Sequence, residues 1–212
     1  MKLLPETFQK FILNRLLELS GVLLIFISCF VFLSILSFSP LDPNINNLTF
    51  LETSNLTGSL GANVSDILIQ LFGYPSFLFP LILCTWSYRL IFQKSLPLFM
   101  LNIFLTPFFL ISISLLSNIL GLVTLNGFIS DEIVKLIFEM NLLSTNFNFY
   151  LVVICSFLIS FVFLFFTMGL SKSEWIIIFN SILKFILKLF SLTYIIFSSV
   201  SSRIFTKYSK SK

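Results

Sequence analysis

Positive charge is held to one side of four long apolar segments, and this constrains the chain more than any other feature. The segments run over 20–39, 74–92, 96–120 and 149–170. A helix rises about 1.5 Å per residue, so about 20 residues cross a hydrocarbon layer of about 30 Å. Each segment is close to that length. The connecting stretch from Pro40 to Gly73 contains no Lys or Arg, and the one from Gly121 to Asn148 contains only Lys135. Lys2, Lys10, Arg15, Arg89, Lys94, Lys172, Lys184, Lys188, Arg203, Lys207, Lys210 and Lys212 all fall in the remaining parts. Cations are retained on the cytoplasmic face of a membrane. The pattern therefore predicts a multi-pass protein with both termini cytoplasmic and two loops outside.

Composition agrees. Residues are 57% hydrophobic and 10% charged, with mean hydropathy +1.04. Soluble domains carry about a quarter charged residues. The expected fold is an all-α membrane protein, a four-transmembrane-helix bundle with lipid as its solvent and as its first partner. Residues 1–19 read as a cytoplasmic amphipathic N-terminus, with Phe8, Phe11, Ile12, Leu16 and Leu17 at helical spacing. Residues 20–170 form the four-span domain. Trp86, Tyr88, Tyr150 and Trp175 fall near segment ends, where aromatic belts form.

Each outer loop holds a short amphipathic helix. Val64, Ile67, Leu68 and Leu71 repeat at helical spacing behind Asn63 as cap, and Ile133, Leu136, Ile137 and Met140 do so behind Ser130. The segment 171–212 is cytoplasmic, comprising an interfacial helix and a basic tail. A lysine at the centre of a span costs about 2.5–3.5 kcal/mol, so Lys184 and Lys188 nearly cancel the apolar gain of 175–200. Insertion energy alone leaves a fifth span open. Asn180, Lys184 and Lys188 lie four apart and share one stripe. That stripe predicts a surface helix, with Lys184, Lys188, Arg203 and Lys207 facing anionic head groups.

Chemistry is sparse. There is no histidine, no phosphate-binding Gly-x-x-x-x-Gly-Lys-Ser/Thr loop, and no nucleotide or hydrolase fingerprint. No catalytic, metal or cofactor site is expected. Cys29, Cys84 and Cys155 read as small packing residues within apolar segments, and Arg89 as a snorkelling interfacial arginine. Pro80 and Pro107 read as kinks. The Asn-x-Ser/Thr triplets at Asn47, Asn55 and Asn63 arise easily in a chain rich in these residues. The basic tail is too short for firm nucleic-acid binding.

One loop is distinctive. The first segment ends in Ser37-Phe38-Ser39-Pro40-Leu41-Asp42-Pro43. Asn55-Leu56-Thr57-Gly58-Ser59-Leu60-Gly61-Ala62 follows, then Ser65-Asp66-Ile67-Leu68-Ile69-Gln70-Leu71-Phe72-Gly73. Asp42-Pro43 favours a tight turn, and Gly58 and Gly61 permit backbone conformations or close approaches that a side chain blocks. This order and spacing resembles the four-helix N-terminal membrane domain of FtsK/SpoIIIE-type bacterial DNA translocases, and the later Gly169-Leu170-Ser171-Lys172-Ser173-Glu174-Trp175 resembles the exit of that domain's fourth helix. The resemblance marks Ser39, Asp42, Pro43, Asn55, Gly58, Gly61, Ala62, Asp66 and Gly73 as the motif, shaping the loop or presenting it to a partner. It implies a non-enzymatic anchor in the bacterial inner membrane, tethering a cell-division and chromosome-partition translocase at the septum. Other division proteins, a separate motor chain and further copies of the chain are the partners it implies. The family's motor and winged-helix motifs are not found in these 212 residues, so the chain by itself is not expected to pump DNA. A small multi-span transporter or channel subunit is the alternative, and a polar cavity across the bundle would favour it.

Overall fold

A computed structural model describes residues 5–47, 52–93, 95–96, 98–122, 126–140, 146–188 and 191. Six helices build the first unit, residues 1–169: α1 Glu6–Leu36, α2 Gly58–Phe72, α3 Leu78–Tyr88, α4 Phe99–Ile119, α5 Phe128–Glu139 and α6 Asn146–Thr167. A 3₁₀ turn, Tyr74–Phe77, leads into α3, and a π turn, Arg89–Gln93, leads out of it. The second unit, 170–212, contributes a helix at 172–188, here α7. Among the described residues the only β pairing is an isolated antiparallel bridge between Gly73 and Asn126. Four helical stretches are long and apolar enough to cross a membrane: Glu6–Leu36, Tyr74–Phe92, Phe99–Ile119 and Asn148–Thr167. The protein is an all-α, multi-pass bundle.

The spans pack as two pairs. In the first, α1 lies on α3, and in the second, α4 lies on α6. Gly21, Ser28, Val31 and Ile35 are buried on α1, with Leu24 packed between them, at heptad-like spacing that keeps one seam facing a neighbour. Without hydrocarbon–water contrast to drive association, small residues let membrane helices approach. Gly21 is such a point: a Cβ there would sit 2.6 Å from Ile91 Cγ1 and 3.1 Å from the Ser87 carbonyl. Ser87 Oγ donates to the Gly21 carbonyl at 2.6 Å, and Ser28 Oγ donates to that of Pro80 at 2.7 Å. On α6, Ser156, Ser160 and Thr167 are buried. The apolar core is Phe72, Ile82, Leu83, Trp86, Phe109 and Leu110.

The amphipathic stretch leads into the first span as one unbroken helix, Glu6–Leu36. Several other sequence expectations are corrected. Pro80 does not interrupt a helix; it lies in the first turn of α3, where its missing N–H is not needed. Pro107 does lie inside α4. Trp86 is no interfacial aromatic: it is buried, and its indole N–H donates to the Thr167 carbonyl at 2.7 Å. Arg89 does not snorkel either. It is buried, with Nε donating to the Ser95 carbonyl at 3.4 Å. The three cysteines are free and exposed rather than buried, and Cys84 Sγ lies 3.1 Å from Ser28 Oγ of α1.

In the second unit, α7 starts from a capping box. Glu174 Oε2 accepts from both the N–H and the Oγ of Ser171, at 2.6 and 2.7 Å. Lys184 and Lys188 are exposed on α7, while the basic tail, including Arg203 and Lys207, lies outside the described residues.

Candidate functional site

The two loops that join spans within each pair, 37–73 and 120–145, meet at one end of the bundle, called here the loop end. Gly127 presses on the end of α2, where a Cβ would fall 2.2 Å from the Leu71 carbonyl oxygen and 2.6 Å from Phe72 Cα. Only a residue without a side chain allows that approach.

The first loop is organised around Asp42 and Asn55, both buried. Pro43 fixes the backbone after Asp42, and the Asp42 N–H is turned back onto the Ser39 carbonyl at 3.2 Å. Ser39 Oγ accepts from the Leu41 N–H at 3.3 Å. The Asp42 carboxylate then gathers the returning strand. It accepts from the Ser54 N–H at 2.9 Å, Ser54 Oγ at 2.6 Å and the Asn55 N–H at 3.0 Å. Charge-assisted bonds of this kind are the strong ones. Asn55 closes the end of α1. Its Nδ2 donates to the carbonyls of Ser34 at 2.9 Å and Ser37 at 3.3 Å, satisfying groups a helix terminus leaves unpaired. Its Oδ1 accepts from Thr57 N–H and Oγ1, at 3.1 and 2.7 Å. Thr57 Oγ1 also lies 2.7 Å from Ser34 Oγ.

The glycines do separate jobs. Gly58 has φ +71° with open space around it, so conformation alone requires it. Gly61 is helical and needed for room: a Cβ would meet Thr57 Oγ1 at 1.6 Å and Asn55 Oδ1 at 2.6 Å. Ala62 is buried beside it, and Ser65 Oγ donates to the carbonyls of both, at 2.8 Å for Gly61 and 3.1 Å for Ala62. Asp66 is buried one turn on, accepting from Asn46 Nδ2 at 2.8 Å and from Gln70 Nε2 at 2.9 Å. Asn44 Oδ1 accepts from the Asn46 and Asn47 N–H groups, at 2.9 and 2.7 Å, an Asx turn that aims Asn46 at Asp66. Eight of the nine motif residues thus form one hub. The ninth, Gly73, stands at the far end of α2, with φ +66° and the bridge to Asn126.

The cap expectations fail here. Asn63 lies inside α2, which begins after Thr57, and its Oδ1 accepts from the Ile45 N–H at 2.8 Å. Ser130 lies inside α5, which begins after Gly127. Asn55 is buried with its amide engaged, so the central Asn-x-Thr triplet is structural.

A second, smaller hub joins α5 to α4. The Gly127 N–H donates to Ser114 Oγ at 3.3 Å, Ser114 Oγ to Ser130 Oγ at 2.9 Å, and Ser130 Oγ to the Gly127 carbonyl at 2.8 Å. Asn118 Nδ2 donates to Asp131 Oδ1 at 2.7 Å, and its Oδ1 accepts from Asn126 Nδ2 at 3.1 Å. Sequence reading missed this hub, as it missed Ser34, Ser54, Thr57 and Ser65 in the first. Isolated serines in apolar helices carry no signal of which neighbour they meet. Lys135 pairs with Glu132 at 2.6 Å, and the neighbouring carboxylate, through that hydrogen bond and its charge, raises the lysine above its ordinary range.

Neither hub groups side chains for catalysis. Among the described residues there is no set of three or more His, Cys, Asp or Glu side chains able to hold a metal. Asp42 and Asp66 bond to donors of their own loop and Asp131 bonds to Asn118 of α4, which makes these carboxylates structural ties.

The family model described as the 4TM region of DNA translocase FtsK/SpoIIIE matches residues 14–183. Three relatives, each named DNA translocase FtsK, are similar over shorter stretches. The one from Azospirillum brasilense is 33% identical over 99 residues, which cover 45% of this chain and 16% of that protein. The one from Shewanella oneidensis is 31% identical over 93 residues, 43% of this chain and 10% of that protein. The one from Rickettsia prowazekii is 35% identical over 80 residues, 36% of this chain and 11% of that protein. The match therefore spans a small part of those relatives' length. No solved structure matches the chain. Four spans, a glycine-dependent loop hub and a family match over most of its length make this chain a member of the FtsK/SpoIIIE four-helix membrane-domain family.

Proposed function

We propose that the chain is a non-enzymatic anchor in the bacterial inner membrane, holding a DNA translocase at the division septum. The matched family region is the membrane part of such a translocase. The observation that carries the reading is the loop hub: buried Asp42 and Asn55 hold a loop of defined shape at one end of the bundle. A loop so fixed can present a constant surface to other division proteins. Both termini are cytoplasmic in this reading, because the loop end is nearly free of Lys and Arg. A motor, on a separate chain or joined to this one, would then lie on the side that holds DNA. The exposed Lys184 and Lys188 on α7, with the basic tail, would meet inner-leaflet head groups.

A transporter has less support. Many polar groups at bundle depth are bonded to helix carbonyls, Thr106, Ser112, Ser156 and Ser160 within their own helices and Ser28 and Ser87 across to the neighbouring one. Side chains engaged this way do not line a path for a solute. A fluorescent fusion of the full chain tests the anchor reading. Concentration at mid-cell in dividing cells is expected; an even membrane signal would contradict it.

A further inference from the structure

The face that α2 turns away from the bundle is the apolar one. Its buried face is Gly61, Ala62, Ser65, Asp66, Ile69 and Phe72, of which the first four are small or polar. Its open face is Leu60, Val64, Ile67 and Leu71, spaced four, three and four residues apart as one stripe along the helix. Leu60 is 73% exposed, Ile67 45% and Leu71 37%, with Val64 half-buried. Leu56, one turn before Leu60, is 71% exposed. A helix covering a bundle in water places apolar residues inward and polar ones outward. This helix turns Ile69 and Phe72 inward, but it leaves Leu60, Ile67 and Leu71 open while its one charge, Asp66, is buried.

Depth says what covers the stripe. Ile69 clusters with Val31 and Ile35 of α1, and Val64, Leu68 and Phe30 pack around them. Thr57, at the start of α2, touches Ser34. At about 1.5 Å per residue, Val31 lies about 8 Å below the end of α1, so α2 lies beside the last turns of a span rather than beyond them. The Arg15–Glu18 ion pair marks the opposite boundary on the same helix. From Glu18, about 20 residues of helix cover about 30 Å and reach the Ser37–Phe38 region. The outer apolar surface of α1 beside α2, Phe32, Leu33 and Leu36, is open as well.

We infer that α2 is embedded in the membrane leaflet at the loop end, with Leu60, Val64, Ile67 and Leu71 against lipid acyl chains. Interfacial helices reach about 5–10 Å into the head-group and acyl boundary, comparable with the distance that α2 reaches back along α1. The usual basic face is missing, since 40–73 has no Lys or Arg, so burial of apolar area holds the helix rather than attraction to anionic lipid. The hub then fixes the depth of α2: Asn55 and Thr57 tie its start to the end of α1. This inference rests on the bundle spanning a membrane and does not depend on septal anchoring.

Collision measurements with a nitroxide test it. The full chain, with Cys29→Ala, Cys84→Ala and Cys155→Ala, is reconstituted in phosphatidylethanolamine–phosphatidylglycerol vesicles. It is labelled singly at Ile67→Cys, Leu71→Cys, Ile159→Cys on the open face of α6, or Glu6→Cys. The expected oxygen-to-nickel-chelate collision ratio at Ile67 and Leu71 is several-fold above that at Glu6 and below that at Ile159, which lies near the middle of its span. A ratio like that at Glu6 places the stripe in water and overturns the inference. Low collision with both reagents means protein covers the stripe and overturns it equally. Ile67→Trp, an apolar exchange on the open face, gives a second reading if the nitroxide disturbs α2. Brominated acyl chains should lower its emission relative to the parent; undiminished emission overturns the inference.

Discussion

Asn55 is the residue on which the loop end turns. One amide donates to two carbonyls at the end of α1 and accepts from two groups of Thr57, all in a buried setting. A buried group left without its partner costs about 1–3 kcal/mol. Asn55→Ala removes the amide and strands Ser34, Ser37 and Thr57 together, so a loss at or above the upper part of that range is expected. Thermal unfolding in detergent micelles, followed by circular dichroism, measures it; an unchanged midpoint would mean the hub does not hold the loop. The two glycines make a paired prediction. A left-handed conformation costs a non-glycine residue about 1–2 kcal/mol, which is the whole penalty expected for Gly58→Ala. Gly61→Ala adds a steric clash with Thr57, whose Cβ lies 2.7 Å from the new methyl position. Gly61→Ala should therefore lower the midpoint more than Gly58→Ala, and the reverse order would contradict the assigned roles. Sequence alone gave both glycines one ambiguous role, because φ and crowding leave the same mark on a sequence.

At the scale of elements, the four spans were legible and the loop helices were only half so. Spans declare themselves by length: about 20 apolar residues have no other common use. The loop helices were found by their periodicity, but their orientation was not. The spacing of Val64, Ile67, Leu68 and Leu71 left open whether the apolar side covers the bundle or lies along the membrane surface, and the structure leaves Ile67 and Leu71 open. The rule that apolar residues face inward assumes water outside, and that assumption fails beside lipid. In α5, likewise, Ile133 and Ile137 are half-buried while Leu136 and Met140 are exposed. The caps at Asn63 and Ser130 were misread because both residues lie inside their helices: Asn63 accepts from the Ile45 N–H, and Ser130 donates to the Gly127 carbonyl from the first turn of α5. The contact of α2 with α5 had no sequence signal beyond Gly127. It makes a sharp prediction: Gly127→Ala forces backbone against backbone at Leu71 and Phe72, where no rotamer change gives relief. A loss of about 1–3 kcal/mol or more is expected, as for overpacking of a well-packed site. Cross-linking of Gly73→Cys to Asn126→Cys, across the bridge, should be efficient in the parent and weakened by Gly127→Ala; equal yield would show that the two loops meet without it.

For the whole molecule, each of two helix pairs carries a hub of polar side chains at one end, and the pairs meet there through Gly127 against α2 and the Gly73–Asn126 bridge. Each pair has the same plan: a span, a short helix tied by a serine near the span's end, and a returning span. Ser34 plays this part for α2, and Ser114 for α5. The plan makes the loop end the ordered face of the protein and leaves α1 projecting past the π turn, with Phe8, Phe11 and Ile12 open. Charge then orients the frame, and everything proposed about septal tethering requires that orientation. Thiol accessibility tests it most directly. In a cysteine-free background, Leu122→Cys at the exposed loop end and Lys10→Cys on the projecting part of α1 are exposed separately to a membrane-impermeant maleimide. Leu122→Cys should react in intact spheroplasts and Lys10→Cys only in inverted vesicles. Labelling of Lys10→Cys from outside, with Leu122→Cys protected, would contradict the account.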